Sequence, residues 1–378
     1  MRLAFLSIGR HLHTERWVGW FAERGHECHL LTVQPGPIEG VTVHDIRSAA
    51  PTKPLRYLRS LRVVRRLLGD IRPDLLNTHF LTGYGYWGDF SGFHPNVLTV
   101  WGDDVYVTPH ENALKKWLAR RALRNAEAVT GDSLDILHGC VDLGADASRC
   151  YEVLWGVDFE RFRPDRPQSV REELGVPAEA PVIFSPRSFT QPYYNLDVII
   201  EACVALRRDR PDVHVVFAGY EGDPAPFVER ARAAGLSENT HFVGRIPHDR
   251  FGEYLVGTDV FVSVPSVDAT AVSLLEAMAC GTGIVVSSLP SSTEWIRDGE
   301  NGLVVPPRDV EALTDALGRA VADPDARRRW GEAAHARARA VADHDANMRR
   351  AESIYLELVE ARPLPEDLSS LAELRARP

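Results

Sequence analysis

Two carboxylates, Asp268 and Glu276, stand eight positions apart in the stretch "PSVDATAVSLLEAMACGT" (residues 265–282), separated by small or apolar residues and a serine. A carboxylate accepts hydrogen bonds through two oxygens, so an acid in such a place suits a vicinal diol such as a ribose. The preceding "DVFVSV" reads as a buried strand, and "AVSLLEAMAC" as a helix closed by Gly281. The turn "PSVDAT" then delivers a helix start to the carboxyl end of a strand. Backbone N–H groups around Ala271–Leu274 are free there and aligned with the positive end of the helix dipole, which makes an anion site. Asp268 falls just outside that end, and Glu276 about two turns along the helix. Spacing alone leaves two readings open: a cap acid with a solvated helix acid, or a ligand cradle.

Other polar groups gather after the strands of the first half. His79 ends "DLLNTH", Asp103 and Asp104 follow "NVLTVWG", and Gly9, His11 and His13 follow "LAFLSIG". His79 is open between a structural and a functional role. Asp103 or Asp104 could orient a hydroxyl or simply cap a turn. The run "HECH" (residues 26–29) hints at a metal, but strand alternation puts its histidines on different faces. With no cluster at ligand spacing, no metal is expected.

Short Val, Ile and Leu runs alternate with amphipathic segments throughout. The helical stretches fall near residues 14–24, 56–68 and 114–125, and again at 195–208. Buried strands interleaved with helices indicate parallel sheets covered on both faces. The pattern appears in both halves, so the fold class expected is α/β, with two doubly wound Rossmann-like domains facing an interdomain cleft. The chain has 378 residues, which suits two domains, and the Pro- and charge-rich residues 158–177 read as the linker.

Hydrophobic residues make up 44% and charged residues 25%, which excludes a disordered chain. Residues 1–165 carry 20 Lys and Arg against 20 Asp and Glu, so the net charge of −10 belongs to the remainder. That balance argues against general nucleic-acid binding. Five scattered cysteines, with no CxxC pair, suggest reduced thiols. The opening residues do not read as a signal peptide, and no run nears the roughly 18 apolar residues of a membrane span. A cytoplasmic protein is expected. The helices near 56–68 and 114–125 are strongly basic, with Arg59, Arg62 and Arg66 on one face of the first and Leu61, Val64 and Leu68 opposite. They are read either as solvated outer faces or as a peripheral contact with an anionic membrane at its inner face.

Taken together, several segments resemble family-4 retaining glycosyltransferases of GT-B fold, the group 1 glycosyltransferases. The opening stretch resembles their donor-binding signature. "RWVGWFAERGHECHLLT", "HPNVLTVWGDDV", "WGVDFERFRP", "HFVGRIPHDRFGEYLVGTDVFVSVPS" and "WIRDGENGLVVPPRDVEAL" extend the likeness over nearly the whole chain. The resemblance implies an acceptor domain over 1–163, a nucleotide-sugar domain over 164–345, and a tail at 346–378 returning to the first. It implies transfer of a sugar from a nucleotide diphosphate sugar to an acceptor hydroxyl, with no cofactor. A uridine donor is the first expectation. Glu276 would hold the ribose, Asp268 the transferred sugar, and Arg187 the diphosphate. Ala271, Val272 and Ser273 would offer backbone N–H groups, Gly244 and Arg245 would lie near the base, and Gly9 near the donor phosphates. His79 and Asp103 would serve on the acceptor side.

Three positions depart from the family pattern. Tyr194 or Asn195 stands where a Lys is usual, Trp101-Gly102-Asp103-Asp104 replaces a His-Gly step, and Asp268 replaces Glu. The missing Lys keeps open a relative that binds nucleotide without transfer. A bilobal sugar-binding protein without catalysis is the rival from another class.

Overall fold

The computed structural model describes residues 1–219 and 221–376. The chain forms two compact units, Met1–Trp155 with Asp345–Pro378, and Gly156–His344. In the first, seven strands form a parallel sheet: β1 Arg2–Leu6, β2 Glu27–Thr32, β3 Val41–Asp45, β4 Leu75–His79, β5 Asn96–Thr99, β6 Ala128–Gly131 and β7 Cys150–Glu152. Their order is β3-β2-β1-β4-β5-β6-β7, so the winding reverses between β1 and β4. β4, β5 and β6 are buried at every position, as strands covered on both faces are, and the polar Asn77, His79 and Asn96 are buried with them.

The basic segment near 56–68 is a longer helix, Lys53–Ile71, with Pro54 in its first turn. It lays Leu61, Val64, Leu68 and Ile71 into the core cluster with Ala4, Leu6 and Leu31. Arg59, Arg62 and Arg66 remain exposed. Residues after Asp345 complete this unit. Trp20 Nε1 donates to Asp345 Oδ1 at 2.7 Å, and Trp17 Nε1 to the Tyr355 hydroxyl at 3.2 Å. Tyr355 is fully buried and stacks on Phe21 with centroids 5.0 Å apart.

The second unit holds a six-stranded parallel sheet: β8 Val182–Pro186, β9 His214–Ala218, β10 Thr240–Gly244, β11 Val260–Ser263, β12 Gly283–Ser287 and β13 Leu303–Val305. The order β10-β9-β8-β11-β12-β13 reverses between β8 and β11. The helix expected near 195–208 is Leu196–Leu206, and its Ile199, Cys203 and Leu206 join Val215, Val262 and Leu317 in the core. Residues 158–177 belong to this unit, where Arg171 pairs with Asp259 at 2.6 Å. No helix among the described residues is long and apolar enough to cross a membrane, and none of their His, Cys, Asp and Glu side chains form a metal-holding group of three or more.

Candidate functional site

In a doubly wound sheet the chains leaving the two strands at the reversal diverge and open a crevice at their carboxyl ends. In the second unit those strands are β8 and β11. Arg187 is the first residue after β8, and Asp268 follows β11 by five positions; their side chains form an ion pair. Arg187 is 8% exposed, and its guanidinium lies 4.2 Å from the centre of the Tyr194 ring. Tyr194 stands where the family pattern has a Lys, so the position supplies a cation–π face and no second positive charge. Burial works against the Arg187 charge, but Asp268, with Tyr194 and Tyr193, outweighs that and raises the guanidinium above its ordinary value. The Asp268 turn is braced from behind: Ser291 Oγ donates to the Asp268 carbonyl at 2.9 Å, and Trp295 Nε1 to Thr270 Oγ1 at 3.1 Å.

The helix that follows is Val272–Ala279, with Ala271 at its cap and no side-chain capping bond. Its first N–H groups, including those of Val272 and Ser273, have no intrahelical acceptor by geometry. Glu276 lies five residues past the cap, about 7.5 Å along the axis, so it is nearer the helix start than two turns. It is 4% exposed, which removes the solvated-helix reading. Its Oε1 lies 3.0 Å from His248 Nε2, a partner that sequence spacing did not indicate. Gly281, at φ 67°, ends the helix in a Schellman closure: Thr282 N donates back to Ala277 O at 3.2 Å and Gly281 N to Met278 O at 3.0 Å. Gly331 of the helix Pro324–Val341 packs against it so closely that a Cβ there would lie 2.0 Å from the Gly281 carbonyl oxygen.

Other expected site residues are placed differently. Gly244 ends β10 at φ 66°, and Arg245 beyond it is exposed, both two strands from β8. Asn195 is fully buried in a left-handed conformation at φ 53°. Its Nδ2 donates to Val264 O and Ser266 Oγ, each at 2.8 Å, and its Oδ1 accepts from Arg308 Nη1 at 2.9 Å. Its amide is therefore spent on holding the β11 exit. Gly9 is closely packed within the first unit. Its N–H donates to Thr32 Oγ1 at 2.9 Å, and a Cβ on it would meet Gln34 O at 2.5 Å, so it serves close packing.

In the first unit the reversal lies between β1 and β4, where an aromatic and imidazole cluster sits. Trp101 contacts His11 at 4.9 Å, Trp155 at 4.8 Å and Phe80 at 4.1 Å between centroids. His79 lies beneath it with no exposed surface. Its Nε2 meets Asn77 Oδ1 at 2.7 Å, while its Nδ1 accepts from Trp101 Nε1 at 3.3 Å. Both nitrogens are used, and burial, with His11 adding to it, lowers its pKa to about 3. Of the two roles left open for His79, this geometry is that of a buried support for Trp101. Asp103 opens the short helix Asp103–Tyr106 and is exposed. Asp104 is buried and accepts from the N–H groups of Leu81 at 2.6 Å, Gly102 at 2.7 Å and Trp101 at 3.1 Å.

Residues 168–337 match the model of "Glycosyl transferases group 1", and residues 2–133 that of "Glycosyl transferase 4-like". A D-inositol 3-phosphate glycosyltransferase of Nocardia farcinica is 30% identical over 336 residues, 82% of this chain and 71% of that protein. The enzyme of that name from Kribbella flavida is 30% identical over 220 residues, 55% of this chain, and the match spans 51% of its own length. Among solved structures, Anabaena HepE in complex with UDP-glucose superposes with a TM-score of 0.81 at 17% identity, covering 96% of this chain and 100% of that one, a likeness of fold. Two parallel α/β units of GT-B type, two family models over most of the chain and a relative 30% identical over 82% of it agree: the chain belongs to the group 1 glycosyl transferases.

Proposed function

We propose that the protein transfers a sugar, with retention, from a nucleotide diphosphate sugar to an acceptor hydroxyl of a glycan, a lipid-linked glycan or a small molecule. The observation that carries this reading is the grouping of Arg187, Asp268 and the start of the Val272–Ala279 helix at the strand-order reversal of the second unit. A departing diphosphate needs positive charge that is already in place, and a buried guanidinium and free helix N–H groups supply it. Arg187 is held by Asp268 on one side and Tyr194 on the other, so it needs little reorganisation. These groups let the reaction proceed without a metal. Glu276 takes the ribose hydroxyls and Asp268 those of the sugar. Asp103 and the Trp101 cluster are assigned to the acceptor.

A uridine donor is favoured, in keeping with the UDP-glucose of the HepE structure. An inositol phosphate belongs among the acceptors tried because the two relatives carry that name. The test is release of nucleoside diphosphate from UDP-, GDP- and ADP-sugars across such acceptors. No turnover with any pairing removes the reading. Peripheral binding of an anionic membrane through Arg59, Arg62 and Arg66 is part of the proposal; sedimentation with liposomes that shows no dependence on anionic lipid removes that part.

A further inference from the structure

Glu276 is a buried carboxylate with one protein hydrogen bond, from His248, and its Oε2 takes none from the described residues. A buried carboxylate is costly unless its lone pairs are met, so one bond leaves it waiting for further donors. His248 is itself fixed. It opens the helix His248–Gly257, and its ring lies 5.3 Å from that of Phe162. Its Nδ1 lies 2.8 Å from Arg161 Nη1. A guanidinium only donates, so Nδ1 accepts and the ring proton is placed on Nε2, aimed at Glu276 Oε1. Three segments of the second unit thus form a chain of donors, Arg161 to His248 to Glu276, ending on one oxygen of the acid.

We propose that His248 is a positioning residue for donor binding: it holds Glu276 Oε1 so that Oε2 is presented to the hydroxyls of the nucleotide's ribose, with Arg161 fixing the tautomer. This rests on the nucleotide-sugar reading above and adds to it a residue whose effect passes entirely through Glu276. His248 makes no contact with the ligand itself.

The experiment is calorimetric titration of the full chain with UDP, GDP and ADP, followed by work with whichever binds best. His248→Phe should weaken binding about tenfold, the range of one hydrogen bond to a charged group. His248→Gln, whose amide can still donate, should stay within about threefold of the unaltered protein, and its melting curve controls for folding. The decisive variant is His248→Phe/Glu276→Ala. If His248 acts only through Glu276, the pair binds no more weakly than Glu276→Ala alone. Additive losses, or unchanged affinity in His248→Phe, overturn the proposal. Should His248→Phe fail to fold, Arg161→Met carries the test, with a weaker but measurable loss expected and no loss counting against the relay. If the unaltered protein binds none of the three diphosphates, the nucleotide-sugar reading falls and this role with it.

Discussion

The acids that first drew attention, Asp268 and Glu276, have different neighbours, and this separates what their loss should do. Among the described residues the Glu276 carboxylate is hydrogen-bonded by His248 alone, so Glu276→Ala removes a ligand contact and should weaken nucleoside diphosphate binding tenfold or more, and transfer with it. Asp268 neutralises Arg187, so Asp268→Ala frees a buried guanidinium for phosphate. Diphosphate affinity should then hold or rise while transfer falls about 100-fold, through loss of sugar contacts and of Arg187 placement. Titration calorimetry beside steady-state kinetics checks this, and equal affinity losses in the two variants would show the roles wrongly divided. The positions of both acids were legible because a strand, a small-residue turn and a helix leave a distinct pattern. Their partners were not. His248 reaches Glu276 across 28 positions and Arg187 reaches Asp268 across 81, separations that no local period records. Tyr194 was seen as a missing lysine. That its ring covers Arg187 depends on the left-handed turn at Asn195 and the 3₁₀ turn before it.

At the scale of elements, the exits of β4 and β5 carry buried groups that titrate in opposite senses. Burial lowers His79 to about 3 and raises Asp104 to about 6, against the N–H bonds that Asp104 accepts. A histidine held neutral contributes stability above its unfolded value of 6.5, and loses it as the unfolded chain takes up a proton that the fold refuses. Asp104 acts the other way: its contribution is lost as pH rises from 3.8 to about 6. The two partly cancel in the whole protein, so the informative quantity is a difference between variants. His79→Gln should cost about 1–3 kcal/mol at pH 7 through weakened bonds to Asn77 and Trp101. At pH 5 that deficit should shrink by about 2 kcal/mol, because the variant carries no proton penalty. Urea unfolding at the two pH values tests it, and a constant deficit would mean that His79 is not kept neutral. Strand periodicity placed His79 at the end of β4 correctly. It could not tell an outward ring from a buried one, since that depends on Trp101 folding over it from the next strand exit.

For the molecule as a whole, doubly wound architecture was readable because Val-, Ile- and Leu-rich strands alternate with helical segments in both halves; the strand orders came only with the structure. Membership of the second unit for residues 158–177 was less readable, since proline and charge mark turns whether or not they separate domains. The placing of Tyr355 against Trp17 and Phe21 makes stability of the first unit depend on the last part of the chain. Tyr355→Ala should destabilise that unit by about 3–5 kcal/mol. Nucleoside diphosphate affinity should be unchanged, because the residues assigned to it lie in Gly156–His344. Differential proteolysis of the two units, run beside calorimetry, tests the separation; a matching loss of affinity would refute it. The same arrangement bears on biosynthesis. A ribosome releases residues 1–155 early, yet their helix Leu12–Glu23 meets Tyr355 only after some 200 further residues have been translated. The middle unit is continuous in the chain and can fold in order of synthesis, while the first must wait with Trp17 and Phe21 uncovered. A nascent chain stalled before residue 345 should therefore be the form that chaperones hold.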